Sequence, residues 1–117
     1  MQVIFSKKKE EKVCRDFSKA QKDFGKWVAM GIMSSIYALE CGITLKDIIV
    51  MPNFRFHALN GEEKGLFAID VRNKKDPWRI ILEPLDEKEQ RFIPCNIDEI
   101  VLKVKIIMIV EVSKHYE

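Results

Sequence analysis

The chain has 117 residues, of which 47% are hydrophobic and 32% charged, and its formal net charge is +2. This length fits one compact domain of about 100 to 150 residues, and the hydrophobic content excludes a wholly disordered chain. No apolar run approaches the ~20 residues of a membrane span, and the apolar start at 1–5 is too short for a signal-peptide core. We therefore expect a single domain over residues 1–117 with no membrane segment.

The cysteines indicate the cellular compartment. Cys14, Cys41 and Cys95 are odd in number and form no Cys-x-x-Cys pair. This arrangement disfavours a disulfide framework and a cysteine-rich zinc site, and it is typical of a reducing environment. The sequence therefore predicts a cytoplasmic protein.

The chain opens with a predicted strand followed by a predicted helix. Residues 1–5 alternate and favour β-structure, which predicts a short strand at a sheet edge. Residues 7–17 carry one apolar stripe amid lysines and glutamates, which predicts a helix with Ser6 as its cap.

A longer helix is predicted over residues 18–41, because apolar residues recur there at spacings of three and four. Gly42 stands where a left-handed C-terminal cap is expected. Gly25 and Gly31 weaken the helix and indicate close packing on a neighbour. The two helices together form a predicted helical hairpin. The predicted buried face of the second helix comprises Phe24, Trp27, Val28, Ile32, Met33, Ile36, Tyr37 and Leu39.

The second half of the chain changes to a period of two, which is typical of strands. After a predicted single turn at 45–48, residues 66–71 and 78–83 alternate and predict two strands. Residues 104–112 are nearly continuous apolar sequence, as expected of a central strand covered on both sides, and the acidic stretch 84–97 before them is predicted to be a loop. Helices on one face of a mostly antiparallel sheet make an α+β domain, which is the predicted fold class.

Charge is unevenly distributed along the chain. Residues 7–26 contain eight basic and four acidic side chains, whereas residues 83–99 contain six acidic and two basic ones. A basic stretch on a near-neutral protein can mark a nucleic-acid contact, because each neutralised phosphate releases counterions. The alternative is a solvated helix face, and the charge pattern alone leaves both interpretations open.

Three side chains have the chemistry of a phosphate-directed catalytic site. His57 and His115 stand at the ends of predicted elements, and imidazoles there can supply a general base and a general acid. Arg79, inside an otherwise apolar strand, can hold a phosphate through paired hydrogen bonds. The structural alternatives are a turn histidine, a histidine at the chain end, and an arginine paired with a carboxylate such as Glu111.

Aromatic side chains flank these residues. Phe54, Phe56 and Tyr116 could stack on nucleic-acid bases; packing is the alternative for the two phenylalanines, and both interpretations stay open for Tyr116. The two histidines and the scattered carboxylates show no metal-ligand spacing, and no phosphate-binding glycine loop is present. We expect no cofactor and no metal.

Three segments of the chain together resemble the HigB branch of the RelE-like bacterial toxins. The segment RFHALNG at 55–61 is similar to the Arg-x-His-x-Leu-Lys-Gly segment of that branch, and WRIILEP at 78–84 is similar to its next strand, where an arginine follows an aromatic residue. The ending IVEVSKHY at 109–116 resembles a terminal strand that closes with an Asp-Tyr-His or Asp-His-Tyr cluster. The acidic loop resembles an insertion of the longer plasmid-maintenance killer proteins.

The resemblance implies a RelE-like toxin fold and the toxin component of a type II toxin-antitoxin system. Its activity would be metal-independent, ribosome-dependent cleavage of mRNA by attack of a ribose 2′-hydroxyl on the adjacent phosphate. The implied partners are a cognate antitoxin of the helix-turn-helix, HigA-like kind, the ribosome and mRNA. Operator DNA would be contacted only through the antitoxin, and the basic hairpin would contact ribosomal RNA.

The resemblance also implies a set of site residues. The implied catalytic residues are His57, Arg79, His115 and Tyr116, and the implied substrate-binding residues are Arg55, Asn60, Lys64 and Lys114. The chain departs from the family pattern where Asn60 replaces lysine, Lys114 replaces aspartate and Glu63 replaces a basic residue. The alternative function is therefore a non-catalytic member that binds protein or RNA, and a small-molecule-binding α+β domain is a third.

Overall fold

The computed structural model describes residues 1–59 and 65–114. The strands are β1 (Gln2–Phe5), β2 (His57–Ala58), β3 (Phe67–Asp70), β4 (Trp78–Leu85) and β5 (Ile106–Lys114). The helices are α1 (Lys8–Arg15), α2 (Phe17–Phe24), α3 (Lys26–Cys41), α4 (Lys46–Ile49) and α5 (Ile97–Ile100), with a 3₁₀ turn at Pro52–Phe54. Within the described ranges, no helix has the length and apolar character needed to cross a membrane.

The five strands form one sheet in the order β1-β5-β4-β3-β2. β1 runs parallel to β5, and the other three pairs are antiparallel. The sheet confirms the predicted α+β class and the predicted edge position of the first strand. β2 was not predicted, because two residues are too few to show an alternating pattern.

The main core lies between the helices and one face of the sheet, as predicted. Apolar side chains of α1, α3 and α4 pack there against alternate residues of the strands, which removes about 25 cal/mol of unfavourable hydration for each Å² buried. Its fully buried members include Ile32, Leu39, Leu45, Ile48, Ile69, Ile80, Leu82, Ile107 and Ile109.

The predicted long helix is in fact two helices that meet at Gly25. This residue has φ +89°, a conformation that glycine adopts readily and that ends a right-handed helix. A Cβ at Gly25 would meet nothing within 4 Å, so the residue marks a break and not a close contact. At Gly31 the prediction is confirmed, since a Cβ there would lie 2.5 Å from the carbonyl oxygen of Val71.

The predicted buried face of α3 is only partly correct. Val28, Ile32 and Leu39 are buried, whereas Trp27 is 60% and Tyr37 is 71% exposed. Both aromatic residues lie on the part of α3 that faces away from the core. Because α3 is apolar on both sides, its periodicity alone could not distinguish the buried side from the exposed one.

Two predicted helix caps are wrong. The Ser6 hydroxyl donates to the carbonyl of Val110 at 2.7 Å, and Lys7 is the N-terminal flanking residue of α1, with no side-chain cap. Gly42 has φ −67° and ψ 146°, an extended conformation and not a left-handed one. Ser6 therefore ties the chain to β5, where long-range pairing replaces local capping.

The last two strands differ in detail from the prediction. β5 is an interior strand, but its residues alternate between buried and more exposed positions, so only one face is fully covered. β4 continues through Pro84 to Leu85, into the stretch predicted to be a loop, and the unpredicted helix α5 begins at Ile97, where that stretch ends. Asp86 closes the turn after β4, since its side chain accepts the backbone N–H groups of Lys88 and Gln90.

Candidate functional site

The face of the sheet opposite the helices carries three ionisable side chains that are remote in sequence. His57 pairs with Ala68 across β2 and β3, and Asp70 lies two residues further along β3 on the same face. Arg79 of β4 is the direct partner of Asp70. The structure therefore brings two of the predicted catalytic residues, His57 and Arg79, to one face of the sheet.

The chain enters β2 through a constrained turn that orients His57. The 3₁₀ turn ends at Arg55, which adopts a left-handed conformation with φ 45° and ψ 52°. His57 Nδ1 then lies 2.7 Å from the Arg55 carbonyl oxygen. Since a carbonyl oxygen only accepts hydrogen bonds, Nδ1 carries the proton, and Nε2 of the neutral ring has a free lone pair.

His57 Nε2 is the ring atom that can accept a proton. It is buried, and it has no hydrogen-bond partner among the residues that the structure describes. The imidazole as a whole is half-buried. An orphaned buried ring nitrogen is uncommon in folded proteins and needs a functional or structural explanation.

Arg55, a predicted substrate-binding residue, lies beside His57 on the same turn. Its Nε is 3.1 Å from Asp70 Oδ2. The Asp70 side chain is only 2% exposed, whereas the Arg55 side chain is 34% exposed. The Arg55 guanidinium is thus held at one edge by a buried carboxylate and is accessible to solvent elsewhere.

Arg79 is buried in a different arrangement from the one predicted. Its Nε lies 3.1 Å from Asp70 Oδ1, without the alignment of a hydrogen bond. Its two terminal nitrogens donate to backbone carbonyls of the turn before β4 and of Trp78, and the side chain is 7% exposed. The predicted phosphate clamp is therefore corrected: the guanidinium faces its own turn, and its carboxylate partner is Asp70 and not Glu111.

Lys114 is not brought to this face. It pairs with Trp78 across β4 and β5, and its Nζ lies 5.4 Å from the centre of the Trp78 ring. Trp78 faces the helices, since its ring meets Phe24 edge-on with centres 4.7 Å apart. The strand therefore directs Lys114 to the helical side, away from His57 and Arg79, and its substrate-binding role stays a prediction.

Four of the predicted site residues lie outside the described residues. These are Asn60, Lys64, His115 and Tyr116. The described part of β5 ends with Ser113 opposite Arg79 and with Lys114 next to it.

The two phenylalanines near the site pack within the protein, which was the alternative considered for them. Phe54 is 6% exposed in the main core. The Phe56 ring stacks on Phe67 with centres 4.9 Å apart and planes 17° apart. Such aromatic contacts stabilise the turn that carries Arg55 and His57.

A cavity of about 620 Å³ lies beside β2. Its walls include Ala58, Leu59, Phe67 and Phe92, with Arg91 among the lining residues. Arg91 Nη2 is 2.8 Å from Glu83 Oε2. The cavity thus combines an apolar wall with one charged side chain, Arg91, which is paired with a carboxylate.

Asp70 is the residue that sequence reasoning missed. The signal was present, because an aspartate at the end of an otherwise apolar strand, FAID at 67–70, needs a buried partner. Within residues 1–59 and 65–114, no group of three or more His, Cys, Asp or Glu side chains is arranged to hold a metal ion.

The comparisons with known proteins leave the family open. A scan against protein-family models and a search of curated proteins both find no match to this chain.

Proposed function

We propose that the chain is the toxin component of a type II toxin-antitoxin system and cleaves mRNA on the ribosome. The observation that carries this proposal is the geometry at His57. Its Nδ1 is occupied by the Arg55 carbonyl at 2.7 Å, which leaves Nε2 as the proton acceptor beside a partly exposed guanidinium. When a ribose hydroxyl attacks phosphorus, a base must take its proton and a cation must stabilise the negative charge that develops. His57 and Arg55 are groups of these two kinds.

The proposed reaction uses the RNA's own nucleophile. His57 Nε2 takes the proton of a ribose 2′-hydroxyl, and the oxygen forms a bond to the adjacent phosphorus. The bond from phosphorus to the 5′-oxygen of the next nucleotide breaks, and an acid protonates that oxygen. The products are a 2′,3′-cyclic phosphate and a free 5′-hydroxyl.

A cationic side chain, an acid and a surface for a nucleobase complete the proposed site. Arg55 stabilises the negatively charged phosphorane, a role for which its accessible guanidinium is suited. The acid belongs to the predicted pair His115 and Tyr116, and Asn60 and Lys64 remain predicted substrate contacts. The cavity beside β2, with its Phe92 wall, has the apolar surface on which a nucleobase stacks.

The proposed docking surface for the ribosome is formed by the basic helices α1 and α2. Lys8, Lys12 and Lys22 are exposed there, so they can neutralise phosphates of ribosomal RNA. Lys19 instead forms an ion pair within α2, since its Nζ lies 3.3 Å from Asp23 Oδ2. Charge reversal at Lys8 and Lys12 should therefore weaken co-sedimentation with ribosomes more than reversal at Lys19.

A second candidate function is a non-catalytic regulator with the same fold. Three observations favour it: Arg79 is buried in its own turn, Lys114 faces the helices, and His57 Nε2 is shielded from solvent. Under this alternative the imidazole is part of a rigid turn, and the exposed lysines bind protein or RNA without cleavage.

A growth assay separates the two functions. Induction of the wild-type chain in bacteria should arrest growth, co-expression of its cognate antitoxin should relieve the arrest, and His57→Ala should remove it. Arg72→Ala is the matched control, because Arg72 is exposed and its ion pair, with Asp76 at 3.2 Å, is local in sequence. Unchanged growth on induction, or equal arrest by wild type and His57→Ala, would favour the regulator.

A further inference from the structure

We propose that Asp70 is a positioning residue for His57: by holding the Arg55 side chain, it keeps the Arg55 carbonyl on His57 Nδ1 and so keeps the Nε2 lone pair free. This inference rests on the proposed function for its consequence in RNA cleavage, but its structural content is independent of any activity. It assigns a role to a side chain that touches neither His57 nor a substrate.

The first step of the argument is the backbone of Arg55. A non-glycine residue with φ 45° and ψ 52° is disfavoured by roughly 1 to 2 kcal/mol, because its Cβ crowds the following carbonyl. Such a conformation persists only where the surroundings hold it. The contact that holds it here must therefore act on Arg55 or on its immediate neighbours.

The second step identifies that contact. Arg55 Nε donates to Asp70 Oδ2 at 3.1 Å, and the Asp70 side chain is almost completely buried. A hydrogen bond between two charged groups is stronger than one between neutral groups, above all where water is excluded. Because β3 fixes Asp70 opposite Arg79, the carboxylate is a rigid anchor for the Arg55 side chain.

The third step connects the anchor to the histidine. With Arg55 held in this conformation, its carbonyl oxygen points at His57 Nδ1 and accepts the proton there. Which ring nitrogen carries the proton of a neutral imidazole is set by the hydrogen bond that the other nitrogen makes. If the Arg55 anchor is lost, the residue can leave the left-handed region, its carbonyl turns away, and the proton is free to move to Nε2.

The test measures the tautomer of His57 directly by ¹⁵N NMR of the imidazole in the full chain, with His115 assigned through a His115→Gln variant. In the wild type at neutral pH, the form with the proton on Nδ1 should be the major one. In Arg55→Ala, which leaves the Asp70–Arg79 pair intact, that form should lose its majority. Arg55→Gly should lose less of it, because glycine adopts the left-handed conformation without an anchor.

Asp70→Asn supplies the complementary measurement, and Arg72→Ala the control. Asp70→Asn should shift the tautomer in the direction of Arg55→Ala, and Arg72→Ala should keep the wild-type spectrum. An unchanged tautomer in folded Arg55→Ala would overturn the proposal, as would a wild type with its proton on Nε2. A shifted tautomer in a chain without ribonuclease activity would support the positioning role and reject the proposed function, so the two failures are distinguishable.

Discussion

Asp70 and Arg79 face each other directly across β3 and β4, with Arg79 Nε 3.1 Å from Asp70 Oδ1. Both side chains are almost fully buried, and the second oxygen of Asp70 binds Arg55. One carboxylate therefore contacts two guanidinium groups, one inside the protein and one at its surface. This arrangement links the turn before β4, which Arg79 closes through its backbone contacts, to the turn that carries His57.

Replacing Asp70 should destabilise the fold strongly. Asp70→Asn keeps the shape of the side chain but leaves the buried Arg79 charge without its counter-ion, and breaking a buried ion pair in this way costs about 3 to 5 kcal/mol. The free energy of unfolding from urea denaturation is the measurement.

The control for Asp70 is the ion pair of Arg72 with Asp76, which lies in the turn between β3 and β4. The Arg72 side chain, which pairs with Asp76, is 41% exposed. Arg72→Ala should therefore change the free energy of unfolding by no more than about 1 kcal/mol. Equal losses in Asp70→Asn and Arg72→Ala would contradict the view that burial makes the Asp70 pair indispensable.

Gly31 should tolerate no side chain. A Cβ at this position would lie 2.5 Å from the backbone oxygen of Val71, so Gly31→Ala must displace α3 from the sheet, which costs about 1 to 3 kcal/mol. At Gly42 the nearest atom to a Cβ is 3.5 Å away and φ is −67°. Gly42→Ala should therefore be neutral or stabilising by up to about 1 kcal/mol, and a reversed order in thermal unfolding would refute the packing described here.

The elements of the fold could be predicted from the sequence where the local apolar pattern matches the side that is buried. Period-two runs located β3 and β4, and Gly31 indicated a close approach. The break at Gly25 was missed because a positive φ leaves no mark in apolar spacing, and Trp27 was misassigned because α3 is apolar on both sides. Periodicity reports which residues share a face but not which face is covered.

The site was less predictable for a related reason. The choice of Arg79 as a sheet-face residue was correct in position, but its accessibility depends on a turn whose carbonyls converge on it. Asp70, the side chain that joins Arg55 to Arg79, belongs to no motif; its place in an apolar strand indicates a buried partner, but only the structure identifies the two arginines. Side-chain accessibility is a tertiary property, and strand alternation does not contain it.

The three thiols should differ widely in reactivity. Burial, with the nearby charge of Glu10, raises the pKa of the Cys14 thiol to about 12, and burial also raises the pKa of Cys95. Cys41 is exposed. Because the thiolate is the reactive form, a disulfide reagent in mildly alkaline buffer should modify Cys41 first and Cys14 only on unfolding.

Mass spectrometry of partially labelled protein measures this order. Labelling in concentrated denaturant is the control and should modify all three thiols at similar rates. Early modification of Cys14 in the native protein would contradict its burial in the main core.

Acid should weaken the turn that begins α4. The Asp47 carboxylate accepts the backbone N–H groups of Ile43 at 2.8 Å and Thr44 at 3.2 Å, which lowers its pKa below the usual 3.8. A carboxyl with a lowered folded-state pKa stabilises the fold above its unfolded pKa, and this contribution is lost as the pH falls through the folded value.

The variant Asp47→Asn isolates that contribution. Wild type should be the more stable protein at neutral pH, and the difference in free energy of unfolding should shrink as the pH falls below about 4. The ion pair of Glu40 with Arg15, which lowers the pKa of Glu40, is present in both proteins and cancels in the comparison. A difference that stays constant down to strongly acidic pH would exclude the Asp47 turn as its source.

The most direct test of the proposed activity is primer-extension mapping of cellular mRNAs after induction of the chain. Wild type should create new 5′ ends inside translated regions, and these ends should disappear when ribosomes are cleared from the messages. His57→Ala, expressed to the same level and folded, should create none. Transcripts that remain intact with the wild-type chain, or the same new ends with His57→Ala, would contradict RNA cleavage through this imidazole.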